Sequence, residues 1–252
     1  GDPVQYLKDY ENAVYKYTYN VRKGRNFDIF RNHSKENHYD RKIWMARDPR
    51  DIAVSEMLYR WHKGHRGRRE QYRTHLDLTR KKEKDPKSIP FHAICRHIGH
   101  DDWPIATDEV IEKIRIRYQA AHDFVKSLGK EWFIFKYEDM ISKNFSALNE
   151  YLGFEINDDA EIPTTTKKTK VARKKAMGDW RHWYTEEDVK LFKPALLPYL
   201  KLIGYNCDDW ALSPNPEIKP QFSSLYMENL VRKNRLNTLR SYKVLRPFIK
   251  PS

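Results

Sequence analysis

Cysteine is nearly missing from this 252-residue chain, with Cys95 and Cys207 the only two. Two thiols are too few for a disulfide framework or a thiolate metal site, and their scarcity fits a reducing compartment. Long hydrophobic runs are missing too: nowhere do 18 apolar residues follow one another, so no spanning helix is predicted. The first residues carry no hydrophobic signal segment, and no internal repeat is visible. These absences predict a soluble, cytoplasmic protein. Its length suits one large domain with a substantial core, or at most two small ones.

Acidic residues are in deficit. Against 35 Asp and Glu stand 48 Lys and Arg, a formal net charge of +13. Such an excess predicts an anionic partner without naming it: nucleic acid, an acidic membrane surface, a sulfated or phosphorylated small molecule, or a polyanionic acceptor. Part of it sits in HKGHRGRREQYR (62–73), part in KKTKVARKK (167–175) and part in the C-terminal tail. Such runs are usually solvated surface, and no specific nucleic-acid recognition is expected.

What the chain does have is organised around KIWMARDPRDIAVSEMLYRW (42–61). Lys42 to Ala46 reads as a buried strand, and Ala53, Val54, Met57, Leu58 and Trp61 recur at helical spacing. Pro49 disfavours helix at the residue before it, and Asp48 or Asp51 can cap the helix that follows. A helix N-terminus with Arg47 at the strand tip and Ser55 eight residues on, about one turn inside, is a candidate phosphate site. A surface ion-pair cluster of Arg47 with the two aspartates accounts for the same residues.

Elsewhere Val4 to Tyr19 suggests a tyrosine-rich helix, and FDIF (27–30) a short strand ending at Arg31-Asn32-His33. From Trp61 to about Pro90 the pattern is poor, which predicts a lid or a partly disordered segment. Residues 91–99 suggest a short helix. Asp108 reads as the N-cap of an amphipathic helix through Ile111, Ile114, Tyr118, Ala121, Val125 and Leu128, closed by Gly129. WFIFK (132–136) is another strand, followed by Tyr137-Glu138-Asp139 and a helix from about Asn144 to Leu152. Strands alternating with helices predict a doubly wound parallel α/β sheet flanked by helices, with ligand at the carboxyl ends of the strands. A domain over residues 1–212 and a basic C-terminal extension over 213–252 are expected, the chain leaving the domain near Asp209. The extension reads as amphipathic, able to pack on the domain, bind a partner or lie on an anionic membrane.

RDPRDIAVS resembles the 3′-phosphate-binding segment of sulfotransferases that use 3′-phosphoadenosine 5′-phosphosulfate (PAPS), in which the first Arg and the Ser eight residues later hold the ribose 3′-phosphate; Arg47 and Ser55 keep that spacing. KYEDM (136–140) is similar to the family's element whose Tyr contacts adenine, here Tyr137. RKKAMGDWR (173–181) resembles its C-terminal signature, Arg-Lys-Gly followed two residues later by Gly-Asp-Trp-Lys, from a basic loop that binds the 3′-phosphate. Arg173, Lys174, Gly178, Asp179 and Trp180 match. Lys175 replaces the family's Gly, which restricts backbone amides near the phosphate but adds a point charge. Thr185, acidic residues after it and the Gly204-Tyr205 ending continue the likeness.

The resemblance implies a sulfotransferase fold, a P-loop-like one, and transfer of a sulfuryl group from PAPS to a hydroxyl or amine of a small-molecule or glycan acceptor. Adenosine 3′,5′-bisphosphate would be released. Arg47, Ser55, Arg173, Lys174 and Lys175 would bind the 3′-phosphate, with Tyr137 and Trp61 at the adenosine. His33 takes the place of the catalytic base, with Arg31 and Asn32 in place of the family's Lys and Thr and His38 a nearby rival. No metal is implied, since lysine, arginine and helix-end donors can stabilise the transferring charge. The likeness covers roughly residues 26–205, and the family's opening strand and Pro-Lys-Ser-Gly-Thr-Thr loop are not found. VRKGRN (21–26) and DPKSIP (85–90) lack the Gly-Thr-Thr core, so the expectation is that the first strand, loop and helix would lie before Gly1. A P-loop phosphotransferase, which needs a Gly-Lys-Ser/Thr loop and a magnesium carboxylate, and a non-enzymatic basic module that binds polyanions are the competing readings. Acceptor and oligomeric state stay open.

Overall fold

Two apolar runs of five residues pair with each other. A computed structural model of the protein describes residues 39–65, 67–98, 104–157 and 177–233. In it β1 (Lys42–Ala46) and β2 (Trp132–Lys136) lie parallel, in register from Lys42 opposite Trp132 to Ala46 opposite Lys136. Parallel strands need a long crossover, and the intervening helices supply it. Among the described residues the architecture is mixed α/β, a two-stranded parallel sheet with helices packed around it. The expected strand at 27–30 and the helix from Val4 to Tyr19 lie outside the described residues.

The crossover comprises α1 (Pro49–Tyr59), α2 (Arg69–Lys84), α3 (Phe91–Cys95) and α4 (Thr107–Lys126), with a single 3-10 turn at Arg60–Lys63. After β2 come α5 (Tyr137–Ile141), α6 (Ser146–Leu152), α7 (Trp180–Trp183) and α8 (Glu186–Leu202). Tyr118, Ala121, Phe124 and Val125 of α4 and Phe192, Leu196, Tyr199 and Leu200 of α8 share the principal core. Trp44 of β1 meets the Phe124 ring at 5.2 Å. Asp108, expected as the N-cap of α4, lies inside its first turn, while the cap position is Ala106, without a side-chain hydrogen bond. α6 ends at Gly153 in the left-handed region, φ 82°, where a missing Cβ removes the penalty.

The segment expected as a lid or disorder contains α2, a helix of 16 residues. Its buried face is Gln71, His75, Leu76, Thr79 and Lys82, at helical spacing but mostly polar, so hydrophobic periodicity does not reveal it. His75, Thr79 and Lys82 are each met by a partner. The Trp61 indole N–H donates to His75 Nδ1 at 2.7 Å, the Thr79 hydroxyl donates to the His75 carbonyl at 2.9 Å, and the Lys82 ammonium donates to the carbonyls of Pro86 (2.7 Å) and Ile89. Burial drives the Lys82 ammonium down to about 8.

Residues beyond Asp209, expected to leave the domain, pack against it. Trp210 and Ile218 belong to the principal core, and Met227 joins Trp61 and Leu76 in a second cluster. A helix over 224–233 starts where Glu83 accepts hydrogen bonds from the Ser223 and Ser224 hydroxyls and the Ser224 amide. Residues 234–252 lie outside the described residues.

Asp188 ties distant elements together. It completes a capping box with Thr185 at the start of α8 and also accepts the amides of Phe91 (2.7 Å) and His92 (2.9 Å), capping α3. The His92 ring adds a bond at 2.8 Å. Burial pushes this carboxyl up, yet the His92 ring and the amides of His92, Phe91 and Thr185 together hold it below its ordinary value. Asp188→Ala should lose about 3–5 kcal/mol in urea unfolding, because several buried donors lose their acceptor at once. A loss under about 1 kcal/mol would show that the two helix starts do not depend on it.

Candidate functional site

Because Ala46 and Lys136 are the last register pair, the residues after them emerge side by side. The Arg47 guanidinium lies over the Tyr137 ring, 4.5 Å from its centre. Among the described residues Arg47 Nε is buried without a hydrogen-bond partner, a state that a buried strong donor does not usually keep. A guanidinium can grip a phosphate through two parallel hydrogen bonds, and a phenol ring can stack on a base.

The next four residues are locked. Asp48 accepts from the Arg50 amide at 2.8 Å and from the Arg50 guanidinium, Nε at 2.9 Å and Nη2 at 2.7 Å. That guanidinium lies against the rings of both Trp180 (4.2 Å) and Trp210 (4.7 Å), and its Nη1 donates to the Asp209 carbonyl at 2.6 Å. Arg50 is 3% exposed, so the expected surface ion cluster is a buried one, and Arg50 rather than Arg47 is the paired cation. The helix end is also altered as a site. Pro49 has no N–H, the Arg50 amide goes to the Asp48 carboxylate, and the Ile52 amide goes to the Asp48 carbonyl at 3.0 Å. The turn therefore presents side chains rather than an open row of amides.

Asp51, in the first turn of α1, accepts from the Gly178 amide at 2.7 Å and the Trp180 amide at 3.0 Å. Gly178 has φ 78°, a conformation that suits glycine. Two bonds from one carboxylate thus moor the start of α7 beside the turn that carries Arg47. Arg173, Lys174 and Lys175, a few residues upstream, lie outside the described residues, as do His33, its neighbours Arg31 and Asn32, and His38.

Ser55 is exposed, four residues beyond Asp51 and therefore about one turn farther along the same helix, deeper inside α1 than its spacing suggested. Trp61, expected at the adenosine, is a core residue. It is 2% exposed, gives its indole N–H to His75, and packs with Leu76 and Met227. Glu138 accepts from the Asp48 amide at 3.2 Å and from the Tyr205 hydroxyl, linking the two strand-end turns to the segment after α8. Lys136 reaches the Gly204 carbonyl at 2.6 Å. Neither these links nor the contacts of Arg50 with Trp180 and Trp210 carry a local sequence signal, since the partners lie far apart in the chain.

Among the described residues no cluster of His, Cys, Asp or Glu could hold a metal ion, and no helix is long and apolar enough to cross a membrane. No family model, curated protein or solved structure matches the chain.

Burial pushes the Asp51 carboxyl up to about 6; Asp48 adds to this, while the two amides and Arg47 oppose it. The folded state thus holds the proton more tightly than the unfolded chain does. The stabilisation is full below the unfolded value of 3.8 and is lost as pH rises through about 6. Unfolding titrations should therefore show Asp51 contributing about 1–2 kcal/mol more at pH 5 than at pH 7.5, a difference absent from Asp51→Asn. Equal pH dependence in both proteins would refute it.

Proposed function

We propose that this chain is a PAPS-dependent sulfotransferase acting on a hydroxyl or amine of a small-molecule or glycan acceptor. The observation that carries the reading is the Arg47 guanidinium, its Nε without an acceptor among the described residues, stacked on Tyr137 at the aligned strand ends. The mooring of Gly178 by Asp51 adds to it, because it holds the chain just after Lys175 at the same helix start. In this reading Arg47, with Ser55 and the cations Arg173, Lys174 and Lys175, holds the ribose 3′-phosphate, and Tyr137 faces the adenine. His33, as neutral imidazole, takes the acceptor proton. Bound PAPS supplies an activated sulfuryl group and leaves as adenosine 3′,5′-bisphosphate. The two described strands would belong to a wider doubly wound sheet whose further strands come from the N-terminal side, and the protein would act in the cytoplasm.

The resemblance behind this reading rests on three short motifs in family order, and the structure relates two of them through Arg47 and Tyr137 and the third through Asp51. Trp61 has no part in it, and the adenosine contact rests on Tyr137 alone.

Isothermal titration with adenosine 3′,5′-bisphosphate beside 5′-AMP tests the reading. Preference for the bisphosphate is expected, with Arg47→Ala weakening it by tenfold or more, about 1.4 kcal/mol, and leaving 5′-AMP nearly unchanged. Tyr137→Ala should weaken both nucleotides alike. Equal affinity for the two nucleotides in the wild type, or no effect of Arg47→Ala, would overturn the proposal.

A further inference from the structure

The polar burial of one side of α2 fixes what its other side presents. With Gln71, His75, Thr79 and Lys82 turned inward, Arg69, Arg73, Lys81 and Lys84 are all exposed. At about 100° per residue these four and Arg80 fall within roughly a third of the helix circumference, along about 22 Å of its axis. Among the described residues none of the four makes a side-chain ion pair or hydrogen bond. Arg80 alone is engaged, with Glu228 at 2.9 Å and Asp77 at 4.0 Å. Glu70 and Asp77 are the acids on this arc. Like charges one turn apart on a helix repel, and of this group Arg80 is paired with a carboxylate from another element, Glu228.

The chemistry of the stripe narrows its partner. Among the described residues the large apolar side chains that stand exposed are Ile43, Met45, Ile116, Phe154, Met177, Phe222 and Leu225, and none belongs to α2. A membrane-surface helix needs an apolar face to bury, and sequence-tolerant binding of single-stranded nucleic acid relies on aromatic platforms. Neither is present on this arc. Point charges and planar guanidinium forks spread over such an arc match a flexible chain of sulfate or carboxylate groups.

We propose that the exposed face of α2 is a docking surface for a linear anionic polysaccharide. Its charged groups lie along the Arg69, Arg73, Lys81 and Lys84 row, and the buried polar side of the helix keeps that row rigid. Binding is electrostatic and weakens steeply with salt.

The test uses a heparin oligosaccharide and a DNA duplex of similar length, each titrated against the full chain at several salt concentrations without nucleotide, so the result is independent of the nucleotide titration. One variant combines Arg69→Ala, Arg73→Ala, Lys81→Ala and Lys84→Ala. A second, with the same loss of net charge, combines Lys126→Ala, Lys130→Ala, Lys190→Ala and Lys201→Ala, all exposed positions. Alanine favours helix, and thermal melting checks that both variants fold. The α2 variant should bind heparin at least tenfold more weakly, with the slope of log K against log salt reduced by about 3, by analogy with phosphate contacts. The control should stay within twofold. An equal loss in the control would mean that net charge alone attracts the glycan. A duplex that binds as tightly as heparin and depends equally on the α2 row would assign the face to nucleic acid. Either result overturns the proposal.

Discussion

The buried Asp48–Arg50 pair is the contact on which the arrangement of this protein depends. Taking both charges out of water is costly, and the cost is met by a two-pronged carboxylate–guanidinium contact, the faces of Trp180 and Trp210, and the Asp209 carbonyl. Together they join the turn after β1 to residues more than a hundred positions later. With that turn rigid, Arg47 is directed toward Tyr137 and Asp51 toward Gly178.

The same use of acids recurs. Asp51 gathers two amides from one distant segment, Asp188 gathers donors from two helix starts, and Glu83 anchors the helix over 224–233. A chain already short of acidic residues thus spends several of them on internal hydrogen bonding. Bases are buried too, Arg50 against Asp48 and Lys82 against backbone carbonyls, so what sets each charge inside or outside is the partner that the fold brings to it.

How much of this could be read in the sequence depended on the kind of signal each element carries. KIWMA and WFIFK are short apolar runs and form the two strands; Ile111 to Val125 follow the helical period and lie in α4. Thr185 followed by acids forms the capping box. α2 was hidden because its inward side chains are polar and only their partners in the fold make them buriable. Trp61 was misplaced for a related reason: a tryptophan at the end of a helix carries the same letter whether it meets a ligand or, as here, the ring of His75.

The sequence by itself determined the local elements: apolar period, proline placement and capping residues act over a few positions and need no distant partner. It also placed Arg47 and Tyr137 each at the end of a strand. Tertiary structure decided which of the two arginines in Arg47-Asp48-Pro49-Arg50 is buried in an ion pair and which keeps a guanidinium N–H without a partner among the described residues, and that Asp51 holds Gly178. Those outcomes turn on desolvation, and the solvent exposure of a side chain is set by residues far away in the chain that fold over it.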